Sequence, residues 1–480
     1  MSVIGPTSDS RDDGVAASPL IFAETSSERS IPRGRVVAWA LWDWGGAAFN
    51  AVITTFVFTV YLTGSEFVDP HLIHERAHEV NPNGPAHAAV AAAESTLTSG
   101  LGWALAIAGL VVAVIAPVLG QRTDGSGRRK LWLGINTGIV VVLTAVMFFV
   151  VGSPQYFLFG AIVVAAGTVF YEIATVNYNA MLTQVSTPAT VGRVSGLGWG
   201  AGYLGGIVLL LAVYVGLVVS GTDGTSGLLH VSTADGLNIR IIALISAAWT
   251  LIFSLPVLVA VPEIEPTARR VRVGFLASYR VLVRDVGVLW SENRVIVLFL
   301  IASALFRDGL VGVFTFGGIL AQGTFGFSSG DVILFAIAAN VVAGVSTMVS
   351  GRIDDRVGAK PIIVVSLCGL ILTGLAVFLL HDSGAIAFWI CGLILCLFVG
   401  PAQSASRTFL ARITPLPRQG EVFGLYATTG RAVSFLAPLL FASFIAWGGA
   451  QYWGILGIVL VLAVGLALVI PIHSRERRDR

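Results

Sequence analysis

Twelve apolar runs, each about long enough to cross a bilayer whose hydrocarbon core is ~30 Å thick, divide the chain. They lie at roughly residues 36–63, 99–120, 131–152, 156–183, 194–220, 239–262, 295–322, 331–350, 361–380, 385–412, 421–447 and 452–472. The polar stretches between them repeat. Gly120-Gln121-Arg122-Thr123-Asp124-Gly125-Ser126-Gly127-Arg128-Arg129-Lys130 returns 231 residues later as Gly351-Arg352-Ile353-Asp354-Asp355-Arg356-Val357-Gly358-Ala359-Lys360, with an acid four, a glycine seven and a base nine residues after each opening glycine. A second echo, Gly192-Arg193-Val194-Ser195-Gly196-Leu197 against Gly420-Glu421-Val422-Phe423-Gly424-Leu425, has the near-equal offset of 228. Two matching offsets mean two structural halves. The pattern predicts an all-α polytopic membrane protein with twelve transmembrane helices in two pseudo-symmetric six-helix bundles, at 35–262 and 294–472. A cytoplasmic linker over 263–293 joins them, between cytoplasmic tails at 1–34 and 473–480.

Composition removes the alternatives. With 55% hydrophobic and 12% charged residues, a water-soluble fold would lack the polar surface to cover itself. The net charge of +2 carries no information by itself, and no basic block with interleaved aromatics marks nucleic-acid binding. Cys368, Cys391 and Cys396 fall inside apolar runs and read as small buried hydrophobes. The Ser-, Asp-, Arg- and Pro-rich start has no apolar core of signal-peptide length and reads as a disordered tail. If both termini are cytoplasmic, 24 of the 29 basic residues fall inside and only Arg76 and Arg240 outside, as the positive-inside rule requires. The linker, with Arg269, Arg270, Arg272, Arg280 and Arg284, reads either as an amphipathic piece on the anionic inner leaflet or as a solvated connection. Two lysines against 27 arginines point to a GC-rich bacterial genome and a bacterial plasma (inner) membrane.

Twelve helices in two halves, with a Gly-x-x-x-Asp-x-x-Gly-x-Arg/Lys loop after the second and eighth, resemble the major facilitator superfamily over about residues 36–472. Finer features narrow the resemblance: Trp42-Asp43-Trp44, Tyr178-Asn179-Ala180, Gly192 to Gly196, Asp308-Gly309-Leu310 with Phe316-Gly317-Gly318, and Gln403-Ser404-Ala405-Ser406-Arg407 before Phe423-Gly424-Leu425-Tyr426. Together they look like the vacuole-effluxer-like branch, also called the unknown major facilitator family. Its fungal members are linked to amino-acid export from the vacuole. One departure is that Gly45-Gly46-Ala47 stands where the branch typically has Ala-Asn-Ser, which removes two polar groups from the expected cavity.

Ionisable residues inside a membrane are costly unless they face water or a partner. Here they are Asp43, Glu172, Arg307, Asp308, Arg407 and Arg431. They fall on the first, fourth, seventh, tenth and eleventh runs, and the resemblance implies that the first, fourth, seventh and tenth line a central cavity. Helical spacing extends the walls: Asp43, Ala47, Asn50 and Thr54 share one face, Thr168, Glu172, Thr175 and Asn179 another, and Asp308, Val311, Thr315, Gly318 and Gln322 a third. The substrate-binding set is Asp43, Asn50, Thr54, Thr168, Glu172, Asn179, Arg307, Asp308, Gln403 and Arg431. Structural interhelical pairing competes with this reading for each charge. Arg407, about one turn from the inner surface, is expected to snorkel. Three acids against three arginines leave the cavity near neutral, suited to a zwitterion or small polar solute. Glu172, with no base beside it in sequence, leads the proton-coupling candidates, followed by Asp43 and Asp308.

The repeated loops supply the gating set: Gly120, Asp124, Gly127, Arg128, Arg193, Gly351, Asp355, Arg356, Gly358 and Lys360. A carboxylate there can meet a helix N-terminus or a base of the other half. Pseudo-symmetry pairs Asp355 with Arg193 at the start of the fifth helix, and Asp124 with the start of the eleventh near Glu421. His74-Glu75-Arg76-Ala77-His78, with His71 on the same face, matches the zinc-peptidase motif, but the outer loop 64–98, cut by Pro70, Pro82 and Pro85, has no room for a catalytic domain. Metal binding by that loop stays open. Gly200-Ala201-Gly202-Tyr203-Leu204-Gly205 fits a dinucleotide pattern but lies inside an apolar run and reads as a close-packing face. No nucleotide loop marks an ATP-driven pump. The expectation is a monomeric secondary transporter, not an enzyme, without cofactor, nucleic acid or resident metal, whose partners are the bilayer and a small-molecule substrate. A membrane-embedded sensor or scaffold is the rival.

Overall fold

The computed structural model describes residues 31–472 except 82–83, 220–223, 264–283, 285, 292 and 328. Both expected tails, apart from residues 31–34, and most of the linker lie outside the described residues, as do Arg269, Arg270, Arg272 and Arg280.

The described chain is almost wholly helical. The N-terminal half contains α1 (Arg33–Ala47), α2 (Pro70–His78), α3 (Pro85–Ser126), α4 (Arg129–Val146), α5 (Phe157–Ala180), α6 (Val191–Val213) and α7 (Leu237–Ala260). The C-terminal half contains α8 (Arg294–Gly323), α9 (Ser329–Val357), α10 (Ala359–Leu379), α11 (Gly384–Ile413), α12 (Gln419–Val433), α13 (Leu436–Gly448) and α14 (Gly454–Val469). Among the described residues, 11 helical spans are long and apolar enough to cross a membrane, and the shorter apolar stretch Gly100–Ala116 lies within α3.

Three departures from the expected runs have local causes. The second run begins well before residue 99, because α3 is a 42-residue helix starting at Pro85. Alanines favour helix beyond the apolar stretch, proline suits a first helical position, and the Glu79 carboxylate accepts hydrogen bonds from the N–H groups of Ala86 (2.8 Å) and His87 (3.1 Å). The first run is not uniform: α1 passes into a π-helix over Ala48–Phe56 and then a helical turn at Phe58–Leu62. The eleventh run is two helices, α12 and α13, broken at Ser434 and Phe435. Pro438 in the first turn of α13 has no N–H and crowds the carbonyl four residues back, which is that of Ser434.

Large apolar side chains line the outer faces at helical intervals. Val365, Leu372 and Leu379 on α10, and Leu460, Val464 and Leu468 on α14, are exposed, as is Leu251, Ile252, Leu255 and Val259 of α7. In water such stripes would be a liability; against hydrocarbon they cost nothing. Polar contacts between the halves are carried by α1, α3, α4, α5, α6, α9, α11 and α12.

Candidate functional site

Hydrogen bonds between the halves occur in three layers. The first is at the end of the bundle where α3 turns into α4 and α9 into α10. Both turns use the second glycine of the repeat in a left-handed conformation, Gly127 at φ 69° and Gly358 at φ 96°, where a side chain would be strained. Asp355 sits on the last turn of α9, and its carboxylate accepts from the backbone N–H groups of Gly192 (2.7 Å) and Arg193 (3.2 Å). These are the second and third residues of α6, whose N-cap residue, Thr190, supplies no side-chain cap. One half therefore caps a helix of the other. The guanidinium of Arg193 is 3.8 Å from Asp355 but largely exposed, so the backbone contacts carry the attachment. Arg412 bridges Asp354 (2.5 Å) and Asp355 (3.6 Å) from within the same half. Across the layer, Arg129 donates to the Leu416 carbonyl (3.2 Å) and Thr183 to the Gln419 side chain (2.5 Å).

Small residues let the backbones meet here. A Cβ on Gly351 would fall 2.5 Å from the Gly192 carbonyl oxygen, and one on Gly196 2.5 Å from that of Thr347. Of the other expected gating residues, Arg128 and Arg356 are exposed, and Lys360 donates to the Ile470 carbonyl (2.8 Å) inside its own half. Gly120 and Asp124 lie on the last turns of α3, and the partner expected for Asp124 concerns a side chain outside those described.

The second layer is built around Arg407 on α11. The expectation that it snorkels is corrected: its side chain is 3% exposed. Its guanidinium donates to Asn179 Oδ1 (3.0 Å), Ser195 Oγ (3.1 Å) and the Ser195 carbonyl (2.8 Å), and lies 3.7 Å from Asp43. Trp39, Tyr178 and Trp199 surround it with ring centroids at 5.1, 5.6 and 5.6 Å, the distance range of cation–π contacts. Tyr178 stacks on Trp39 and Trp42 and donates its hydroxyl to Asp43 Oδ2 (3.0 Å). Ser404 donates to the Ser195 hydroxyl (3.1 Å), and Ser195 to the Ser404 carbonyl (3.0 Å). Four stretches singled out in the sequence, around Asp43, Tyr178, Ser195 and Arg407, thus meet at one point.

The third layer is near the middle of the spans. Glu172 on α5 is ion-paired with Arg431 on α12, across the halves. Gln403 accepts from the Tyr203 hydroxyl (2.8 Å), and Thr428 donates to the Ala113 carbonyl (3.1 Å). Arg307 donates to the Tyr426 carbonyl (3.0 Å) and sits 3.7 Å over its ring, while Tyr426 shares a hydrogen bond with Ser406 (2.8 Å). Asp308 turns the other way, and its Oδ2 accepts from the backbone N–H of Ala437 (2.6 Å) at the start of α13. Asn50 donates to the Tyr171 hydroxyl (3.1 Å); the hydroxyls of Thr54, Thr168 and Thr175 bond to carbonyls of their own helices. Gly45, the first residue of the Gly45-Gly46-Ala47 stretch, is a packing position, where a Cβ would fall 2.8 Å from that of Phe253 on α7. The His74 and His78 rings meet edge to face, and His71 pairs with Glu75 at 3.2 Å.

Comparison with known proteins places this architecture. Residues 32–479 match the family described as vacuole effluxer Atg22 like. The chain belongs to that family. The Atg22-like chain is 23% identical over 442 residues to the MFS-type transporter YxiO of Bacillus subtilis, covering 92% of this chain and 95% of the relative. It is 23% identical over 346 residues to autophagy-related protein 22 of Yarrowia lipolytica, covering 66% of this chain and 56% of that one. Among solved structures it superposes on the proton:xylose symporter XylE, with TM-score 0.67, 13% identity, and 91% and 94% of the two chains covered. FucP in the outward conformation matches with TM-score 0.60, 12% identity and 92% and 98% coverage. The fold is that of the major facilitator superfamily, and this Atg22-like protein is a multi-pass membrane protein of the secondary-transporter class.

Proposed function

We propose that this Atg22-like protein exports a small polar or zwitterionic, amino-acid-like solute across the plasma membrane by alternating access, coupled to protons. The observation that carries the reading is that two acid–arginine pairs, Glu172 with Arg431 and Asp43 with Arg407, each join one half to the other. Such pairs hold one side of the transporter shut and must open for the halves to rock. A solute with its own carboxylate and ammonium group competes for both members of a pair at once, whereas an apolar solute offers neither group a replacement. The surrounding polar groups, among them Asn50, Thr54, Thr168, Asn179, Arg307 and Gln403, complete the binding region, and Glu172, Asp43 and Asp308 are the acids available to carry the coupling proton. Closure of the end bearing the repeated loops, taken as cytoplasmic from the distribution of basic residues, makes the structure the outward-facing member of the cycle.

Counterflow into proteoliposomes preloaded with mixed amino acids, with and without a pH gradient, tests this. Exchange of labelled amino acid in wild type, accelerated by the gradient, is expected. No exchange by monodisperse protein across a panel of amino acids would refute the substrate class, and exchange indifferent to the gradient would refute proton coupling.

A further inference from the structure

We propose that Asp308 is the residue that binds the coupling proton, and that it acts through the break in the eleventh span, so that protonation resets the Glu172–Arg431 pair. The inference rests on the transporter reading above and identifies one of its three acids. Glu172 and Asp43 each face an arginine of the other half. Asp308, only 5% exposed, has no basic partner among the described contacts, because the neighbouring Arg307 is turned onto Tyr426. Of the helices packed on α8, α13 and α14 carry no titratable side chain. From α12 come Tyr426 and Arg431, held to Arg307 and Glu172, and Glu421, held to Arg418. From α11 come Cys391, Cys396, Arg407 and Arg412, the two arginines held to Asp43 and to Asp354 and Asp355. The described acids and bases of α9 (Arg352, Asp354, Asp355 and Arg356) lie at its far, repeated-loop end. Proton gain or loss at Asp308 therefore changes local charge without first breaking an ion pair.

The route from that charge to the halves is short. The Asp308 carboxylate caps α13 through the N–H of Ala437, and a charged acceptor at a helix start binds more strongly than a neutral one. Ser434, in the break, donates both its hydroxyl (3.0 Å) and its N–H (3.4 Å) to the carbonyl of Arg431. Protonation weakens the cap and frees the start of α13 from α8. The break then shifts, and Arg431, three residues ahead of Ser434, shifts with it away from Glu172.

The full-length protein in lipid nanodiscs is titrated with pH while the protonated-carboxyl stretch is followed by difference infrared spectroscopy. A titrating component of that band, present in wild type and in Glu172→Gln and missing in Asp308→Asn, is expected; a titration spectrum unchanged by Asp308→Asn overturns the assignment. Asparagine keeps the shape and can still accept from Ala437, so the variant should fold. Nitroxide labels at Gln155 and Asp382, on exposed turns preceding α5 and α11, read the separation of the halves. That distance should shift with pH at the midpoint of the band, lose its pH response in Asp308→Asn and regain it in Asp308→Glu. A full response in Asp308→Asn overturns the coupling route. Neither reading depends on transport, so failed counterflow with an intact titration condemns the transporter reading and not the proton site.

Discussion

Replacing Arg407 by Ala should open the end of the bundle that the structure shows closed. The side chain makes three hydrogen bonds to Asn179 and Ser195 and approaches Asp43 at 3.7 Å, and every one of these partners belongs to the other half. None of these contacts survives separation of the halves. Breaking a buried ion pair by removing one member costs about 3–5 kcal/mol. The lower part of that range applies, since the Asp43 side chain is 18% exposed and keeps the Tyr178 hydroxyl. At about 1.4 kcal/mol per tenfold, a loss near 3 kcal/mol raises the open population roughly a hundredfold. A cysteine at Thr347, fully buried where α9 meets Gly196 of α6, reports that population. In the limit of fast opening and slow labelling, its reaction rate with a maleimide should rise roughly a hundredfold in Arg407→Ala, in proportion to the open population. Arg407→Lys should fall between, because one ammonium cannot reproduce a planar fork that reaches both Asn179 and Ser195. Labelling of Arg407→Ala indistinguishable from the parent, with an unchanged melting profile, would show that Arg407 does not hold this end closed.

Three further outcomes follow from the same contacts. Gly192→Val should prevent closure of the repeated-loop end, since a Cβ there would lie 2.7 Å from the Gly351 carbonyl oxygen; cysteines placed at Arg128 and Arg356 should then be farther apart by distance measurement than in the parent. Asp355→Ala, which uncaps α6, should raise thiol labelling at Thr347→Cys several-fold more than Arg193→Ala does, because an exposed ion pair at 3.8 Å contributes about 0–1 kcal/mol. Equal effects would contradict backbone capping as the main attachment. Glu172→Arg and Arg431→Glu should each abolish amino-acid counterflow, and the double exchange should recover part of it; no recovery would contradict pairing across the halves.

The architecture was legible because it is written in run length and repetition. Hydrocarbon forces helices of a set length, and duplication leaves paired glycines and acids at a constant offset. The end contact of Asp355 with the start of α6 was also readable, since helix starts need acceptors and the repeat supplied one. The rest of the site depended on which helices touch. Glu172 looked unpaired because its partner, Arg431, lies 259 residues away in the other half. Arg407 looked like a snorkelling residue because distance from the surface was the sole cue, and its partners come from α1, α5 and α6. The signal that could have found it was the set of motifs itself: Tyr178-Asn179, the segment ending in Ser195 and Gly196, and Ser404 to Arg407 carry polar groups on three different runs, and side chains that small and polar inside a membrane need each other. The eleventh span reads as one run in the sequence, although Pro438 marks its break, and the Asp308 cap on the second piece comes from another helix.

The most direct test of alternating access is to measure both ends at once. One spin-label pair at Gln155 and Asp382 and another at Arg128 and Arg356, in full-length protein in nanodiscs, report the two openings before and after addition of mixed amino acids. Alternating access requires opposite changes, with the first distance shortening and the second lengthening as solute is passed between the halves. Distances that stay fixed at both ends, or that change in the same direction, would contradict it.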